Sequence, residues 1–364
     1  MYNMIETDFK KIFKNKKVIV TGHTGFKGSW LSLWLSMLGS KVVGISKDIP
    51  TSPSHFKILK IENKINSIIC DISDLKRLKK IILRHKPDFI FHLAAQAIVK
   101  NSFENPYRTW QSNLVGTINL LEVLKDYNKR KVVSVFITSD KVYKNFETSR
   151  AYKELDQLGG IDPYSASKSS ADIAIQSYLS SFNFKKANSV ISIARAGNVI
   201  GGADWSDGRL IPDCVRAWSK NKKVIIRNLN STRPWQHVLE VLSGYLKLAA
   251  SGYHDTKLNG EIFNFGPNTK NKYKVKDILE QSRFFWDKAK WTRNKNNRKF
   301  KESNLLHLNS EKARKKLSWR NLLSFKETLS LTIDWYKKYY EKKVKIEKIS
   351  KKQIEFYQKK LKGI

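Results

Sequence analysis

Along the first two-thirds of the chain, short apolar runs alternate with stretches of helical spacing. Lys17-Val-Ile-Val-Thr21 reads as a strand, followed by a glycine-rich turn and an apolar helix from Gly28 to Leu38 that Gly39 stops. Strand-like runs recur at residues 41–46, 67–70, 88–93, 132–138 and 190–195. Between them the spacing predicts a helix capped by Ser73 and running to about His85, another from Pro106 to about Asp126, and a long one that Pro163 opens with Asp162 as its cap. The runs are apolar at nearly every position rather than at alternate ones. Strands of that kind are buried on both faces, as in a parallel sheet covered by helices. The predicted fold class is therefore α/β, a doubly wound parallel sheet.

The pattern changes after Gly197. Residues 209–220, 235–250 and 276–285 read as helices joined by long polar loops, which fits a smaller C-terminal lobe beside the sheet. Residues 325–340 are amphipathic and close the fold. The Lys/Glu-rich stretch from Lys342 reads as a solvated helix or a frayed tail.

Composition narrows the classes. With 364 residues and 41% hydrophobic content the chain can bury a sizeable core. Two cysteines, Cys70 and Cys214, exclude a disulfide scaffold and a Cys-rich zinc module, and no metal site is expected. Residues 1–17 show no apolar segment of a secretory signal, and the Trp30–Leu38 run falls far short of the roughly 20 residues that span a bilayer. A cytoplasmic protein without a membrane partner is expected. The net charge of +37 is the one unusual number. It suits either a nucleic-acid partner or biased residue usage. Lysine outnumbers arginine 54 to 15, whereas phosphate readers favour the arginine fork, so the bias is preferred and no nucleic-acid partner is expected. The excess concentrates in residues 270–320, net +12, and 341–364, net +6. Such a field still draws in anionic small molecules.

Gly22-His-Thr-Gly25-Phe-Lys-Gly28 joins the first strand to the first helix. Glycines there let the backbone turn tightly and approach a pyrophosphate resting on the helix N-terminus. Asp48, 20 residues beyond Gly28, reads either as a ribose-binding carboxylate or as an ordinary loop aspartate before Pro50. No arginine is near it in sequence to welcome a 2′-phosphate, which favours NAD over NADP, although Lys47 weakens that preference. Tyr164 and Lys168, four apart on a helix, share one face. An ammonium and an oxidised nicotinamide beside the phenol would favour phenolate and let it take a proton from a hydroxyl. Ser139, at the end of a strand, offers a hydroxyl partner for a substrate oxygen.

Taken together, Gly22, Gly25, Gly28, Ser139, Tyr164 and Lys168 resemble the extended short-chain dehydrogenase/reductase (epimerase/dehydratase) family. Thr21-Gly-His-Thr-Gly-Phe-Lys-Gly-Ser-Trp30, His92-Leu-Ala-Ala-Gln96, Thr138-Ser-Asp-Lys141, Arg195-Ala-Gly-Asn-Val-Ile-Gly-Gly202 and Arg233-Pro-Trp-Gln-His-Val238 are similar to the CDP-sugar branch of its 4,6-dehydratases. The likeness runs from about Lys16 to Tyr340, with Phe26-Lys27 where the epimerases usually carry Phe-Ile. Val142, Lys144, Leu155 and Asp172 depart from the commonest residues of that branch.

The resemblance implies a Rossmann-type NAD-binding domain, residues 1–196 and 222–250, a nucleotide-sugar lobe, residues 197–221 and 251–341, and a basic tail, residues 342–364. It implies CDP-glucose or a related nucleotide sugar as substrate and a homodimer or homotetramer as the assembly. In the implied reaction Tyr164 takes the proton of the carbon-4 hydroxyl while hydride passes to NAD⁺. Water is then lost across carbons 5 and 6, and the hydride returns to carbon 6, giving CDP-4-dehydro-6-deoxyglucose for deoxysugar and polysaccharide synthesis. Asp140 would protonate the leaving hydroxyl. Lys141, where the dTDP-sugar enzymes have glutamate, would act as base or as a cation stabilising the enolate. Asp71-Ile72 resembles the family's adenine contact, and Phe26, Leu93, Ala95 and Asn113 fall where the family binds its cofactor, although Asn113 reads equally as a helix polar residue bonding local backbone. Asn198, Arg209, Arg227, Arg233 and His237 fall where it holds the nucleotide sugar. Trp235 reads as a stacking partner or as core.

Two other readings remain open on the sequence. One is a 4-epimerase or a dehydratase of another nucleotide sugar. The other is a non-enzymatic Rossmann protein that senses a cofactor or binds nucleic acid. Asp140 speaks against an epimerase, which has no leaving hydroxyl to protonate, and the Tyr164/Lys168 pair speaks against a non-enzyme.

Overall fold

The computed structural model describes residues 8–184, 189–267, 273–293, 306–342 and 344–363. Residues 270–272 and 294–305 of the basic run 270–320, and Lys343 and Ile364 of 341–364, lie outside the described residues.

Among the described residues the strands are β1 (Lys17–Thr21), β2 (Lys41–Ser46), β3 (Asn66–Ile69), β4 (Phe89–His92), β5 (Val132–Ile137), β6 (Ser189–Ala196), β7 (Val199–Ile200), β8 (Val224–Ile226), β9 (Gln236–His237), β10 (Ile262–Phe265) and β11 (Trp291–Arg293). Seven form one parallel sheet in the order β10-β6-β5-β4-β1-β2-β3. Chain direction along the sheet reverses between β1 and β4, so the crevice beyond their C-terminal ends is the switch point where open α/β sheets take ligands. The apolar runs explain the sheet: every residue of β4, β5 and β6 is buried. The pairs β7–β9 and β8–β11 lie outside it.

The helices are α1 (Phe9–Phe13), α2 (Phe26–Met37), α3 (His55–Ile58), α4 (Leu75–His85), α5 (Val99–Glu104), α6 (Pro106–Trp110), α7 (Gly116–Lys125), α8 (Pro163–Ser181), α9 (Leu210–Ser219), α10 (Val238–His254), α11 (Val275–Ser282), α12 (Glu311–Leu317), α13 (Phe325–Glu341) and α14 (Ile346–Lys362). One face of the sheet is covered by α2 and α10, with α1, α13 and α14 outside them; α4, α7 and α8 cover the other. Helix α10 is apolar nearly all round because it lies on β5 and β6 and is itself covered by α2 and α1.

Several expectations are met closely. Asp162 caps α8, its Oδ1 accepting the Ser165 amide at 3.0 Å, with Pro163 as the first helical residue. Others are corrected. Asp74, not Ser73, caps α4, accepting the Arg77 amide at 3.0 Å, because Ser73 is held by Asp71. The stretch from Pro106 is two helices joined by a wide π turn, Gln111–Val115. Strand β10 lies within the stretch expected to form the lobe, yet it pairs with β6 at the sheet edge, because Phe263 and Phe265 are packed into the sheet's core.

The expected basic tail is a docked helix. In α14, Ile346, Ile349, Ile354, Tyr357 and Leu361 are buried at helical spacing, and its lysines occupy the other side. Tyr357 packs edge-on to Trp34 of α2 and donates to Glu240 of α10 at 2.6 Å. Truncating a fully buried branched side chain at such a contact leaves a cavity. Ile354→Ala is expected to cost about 2–4 kcal/mol, read as a lower urea midpoint at unchanged slope.

Candidate active site

The site is assembled from the residues that follow β1, β4, β5 and β6. After β1, Gly22 adopts φ +75°, and a Cβ there would fall 2.8 Å from the Ala94 amide nitrogen. A Cβ on Gly28 would fall 2.0 Å from the Gly22 carbonyl oxygen. These two positions tolerate only glycine. Gly25, the N-cap of α2, meets only the Gly22 oxygen at 3.4 Å, so its outer side is open to an approaching anion. The turn and the helix terminus behind it fit a pyrophosphate. His23 points the other way, between Ser46 and Ser67 at 2.9 and 2.7 Å, and burial brings it down to about 4, so it is neutral. Phe26 lies against Gly201 across the crevice.

Beyond the second and third strands, Asp48 is exposed, and Arg108 of α6 comes within 3.8 Å of it. The sequence showed no arginine near Asp48; the fold supplies one from 60 positions away, so the argument for NAD over NADP from a missing arginine does not stand. Asp71 accepts from the Ser73 amide and hydroxyl, both at 2.9 Å. Ile72 is buried against Gly116, where a Cβ would meet it at 2.3 Å. Leu93 and Ala95 follow β4, Leu93 donating to the Thr21 carbonyl at 3.2 Å. Asn113, in the π turn, is buried and spends its amide on Gln96 and Ser167. It ties the segment after β4 to α8 rather than bonding its own helix backbone.

The chemistry-bearing cluster sits after β5. Ser139 donates to Asp140 Oδ1 at 3.0 Å and accepts from the Lys141 amide at 3.2 Å. Asp140 is buried, and burial pushes its carboxyl up, against the pull of Lys141, Ser139 and Arg233. Tyr164, in the first turn of α8, is brought beside Ser139, Asp140 and Arg209. Burial pushes its phenol up, and the Ser139 hydroxyl opposes that rise. Lys168, one turn further along α8, donates from its Nζ to the Ile137 carbonyl at 2.9 Å. Burial brings that amine down to about 8, against the attraction of Asp172.

Behind the cluster lies a network that the sequence did not reveal. Arg195 of β6 forks onto Asp172 of α8, Nε to Oδ2 at 2.9 Å and Nη2 to Oδ1 at 2.7 Å, and both side chains are fully buried. Thr138 donates to the same carboxylate at 3.0 Å. Asp172, a departure from the branch pattern, thus ties the strand end before Ser139 to the helix that carries Tyr164 and Lys168. Lys27, noted in sequence only as a replacement, also reaches this cluster from α2.

The expected substrate residues divide. Arg209 pairs with Asp204 at 2.9 Å and lies near Tyr164. Arg233 donates to the Thr232 carbonyl at 2.8 Å, and its charge reaches Asp140. A Cβ on Gly197 would come 2.9 Å from Asp140 and 3.2 Å from Pro234, so the 233–235 loop abuts the catalytic turn. Asn198 is half-buried and accepts the Gln236 amide through its carbonyl at 3.3 Å. Arg227 is exposed just past β8. Trp235 is half-buried, and its Nε1 has no partner among the described residues. His237 is fully buried as the cap of α10, its Nδ1 accepting the Leu239 amide at 3.3 Å, and burial brings it down to about 3. Its Nε2 has no hydrogen-bond partner among the described residues. Among the described residues no group of His, Cys, Asp and Glu is arranged to hold a metal ion, and no helix is long and apolar enough to cross a membrane.

A doubly wound sheet with a glycine turn at its switch point and a Tyr–Lys pair beside the neighbouring strand end defines the class of extended short-chain dehydrogenase/reductases. The model of the GDP-mannose 4,6 dehydratase family matches residues 19–332, and the chain belongs to that family. A CDP-glucose 4,6-dehydratase of Salmonella typhimurium is 42% identical over 333 residues, 90% of this chain and 92% of that protein. A UDP-glucuronate 4-epimerase of Thermodesulfobacterium geofontis is 26% identical, covering 89% of this chain and 97% of that protein. Among solved structures, an epimerase of Methanothermobacter thermautotrophicus superimposes with a TM-score of 0.81 at 23% identity, covering 95% of this chain and 98% of that one. A dTDP-glucose 4,6-dehydratase of Bacillus anthracis in complex with NAD does so at 0.72 and 22%, covering 90% and 98%. The two structures share the fold.

Replacing Arg195 by methionine would strand a buried carboxylate. Arg195→Met is expected to lose about 3–5 kcal/mol of stability by urea unfolding.

Proposed function

We propose that this chain is a hydro-lyase that converts CDP-glucose to CDP-4-dehydro-6-deoxyglucose, with NAD as its bound cofactor. Asp140 carries the reading. It is a buried carboxyl with a raised pKa beside Tyr164, and a group poised to hold a proton there has a use in elimination and none in 4-epimerisation. The 42% identical Salmonella enzyme supports the same choice of reaction and sugar nucleotide.

The glycine turn and the N-terminus of α2 take the cofactor's pyrophosphate, Asp48 its adenosine ribose, Asp71, Leu93 and Ala95 the walls, and Lys168 the ring end. NAD supplies the hydride acceptor that makes carbon 4 a ketone and the donor that reduces carbon 6. The chain does the rest. Tyr164 takes the proton of the carbon-4 hydroxyl, with Ser139 holding that oxygen. Asp140 gives its proton to the departing carbon-6 hydroxyl. Lys141, next to it, takes the carbon-5 proton as a free amine or steadies the enolate as a cation. Arg209 and Arg233 meet the substrate diphosphate, with Arg227 at the rim. The net positive field favours such anions without a nucleic-acid partner. A cytoplasmic homodimer or homotetramer completes the reading, with exposed Val115 and Ile173 as apolar surface for a second copy.

Purified protein given NAD and a panel of glucose nucleotides is expected to lose water from CDP-glucose, seen by mass; loss from another nucleotide alone would overturn the substrate assignment. Asp140→Asn is expected to keep nucleotide binding and lose dehydration by about 100-fold or more. Because the acid works protonated, the wild-type kcat is expected to fall as pH rises through the raised Asp140 pKa. A flat profile, or an active Asp140→Asn enzyme, would remove Asp140 as the acid.

A further inference from the structure

Lys27 is the second residue of α2, directly behind the glycine turn. Its half-buried amine lies 3.5 Å from the Tyr245 hydroxyl of α10 and 5.9 Å from the centre of that ring. The charged groups facing it come from three further elements: Lys168 of α8, Arg209 ahead of α9, and Asp140 after β5. Burial pushes the Tyr245 phenol up, so it brings no negative charge. Asp204 pairs with Arg209 and Asp172 attracts Lys168, so Asp140 is the carboxylate that faces Lys27, and it already feels Lys141 and Arg233. Burial and the neighbouring cations bring the Lys27 amine down to about 7.

Both ends of the cofactor cleft locate this charge. On the function proposed above, on which this step rests, the pyrophosphate lies at the glycine turn and the reactive ring faces Tyr164. Lys27 springs from the first and shares the electrostatic environment of Lys168, one turn from Tyr164. Its charge thus lies along the nicotinamide half of the cofactor. That ring is a cation in NAD⁺ and neutral in NADH, so an ammonium near it repels the first form and spares the second. We infer that Lys27 makes the site discriminate between the oxidation states of its cofactor, favouring NADH over NAD⁺ through the charge of its side chain.

The sign of the pH dependence follows. The preference is largest where the amine is protonated and declines as pH rises through about 7. Lys168, at about 8, loses its charge later, and Arg209, held above its ordinary value by Asp204, keeps it.

The test is equilibrium binding of NAD⁺ and NADH to the full chain without substrate, followed by quenching of tryptophan fluorescence. At about pH 6, Lys27→Met is expected to reduce the NADH-over-NAD⁺ preference about tenfold, and at about pH 8.5 to change it little. Lys27→Arg, charged throughout, is expected to keep the preference at both pH values. An unchanged preference in Lys27→Met at low pH overturns the inference. So does equal weakening of both forms, which marks a cation that holds phosphate only, and so does a Lys27→Arg protein whose preference falls with pH as in the wild type. Wild-type protein that binds neither dinucleotide overturns the proposed function itself. Binding of both with an unaltered ratio in Lys27→Met overturns only the role of Lys27.

Discussion

The ion pair between Arg195 and Asp172 is the constraint on which the site depends. It joins β6 to α8 across the interior, and through Thr138 it also fixes the end of β5. The remaining guanidinium nitrogen reaches the Tyr143 hydroxyl at 2.8 Å and the Glu154 carbonyl at 2.9 Å, so all three nitrogens are bonded. A buried pair of this kind adds little net stability relative to an apolar filling, because desolvation offsets the attraction. What it supplies is geometry. Ser139 and Asp140 follow Thr138 directly, and Lys168 stands one turn before Asp172. The distance between the two halves of the catalytic cluster is therefore set by bonds that no substrate touches.

Charge is distributed to match. The interior of the cleft holds Lys27, Lys168, Arg209 and Arg233 around Asp140. Burial raises the Asp140 carboxyl and lowers the Lys27 and Lys168 amines, so these three are moved toward their neutral forms, while Asp204 holds Arg209 charged. Neutral histidines surround this region for the same reason. His92, bonded to Thr21 and Thr117, and His237 are both brought down to about 3. The anions that complete the balance are those of the ligands.

What could be read from the sequence was local. Fully apolar runs announce strands covered on both sides, and β1, β2 and β5 lie within a residue of their expected places. The glycine turn and the Tyr164–Lys168 spacing are each contained in a few residues, and the structure puts both at the sheet's C-terminal edge. What escaped notice depends on partners far along the chain. Arg108 meets Asp48 from a separate helix, and Arg195 of β6 forks onto Asp172 of α8. The periodic apolar positions of α14 were present in the sequence, but its lysines outnumber them and suggested solvent. Lysines cover a buried helix just as well, because one face suffices for packing.

The burial of Glu240 also bears on how the chain matures. This carboxyl sits in α10, pressed against the central sheet, and burial pushes it up to about 7 despite its donors. Those donors are the Leu322 and Leu323 amides and the Tyr357 hydroxyl, which lie 82, 83 and 117 positions later. In the order of the chain, α10 precedes every donor that satisfies this acid once water is excluded. The layer over the sheet therefore closes around this acid only once residues 322–357 have packed against α10.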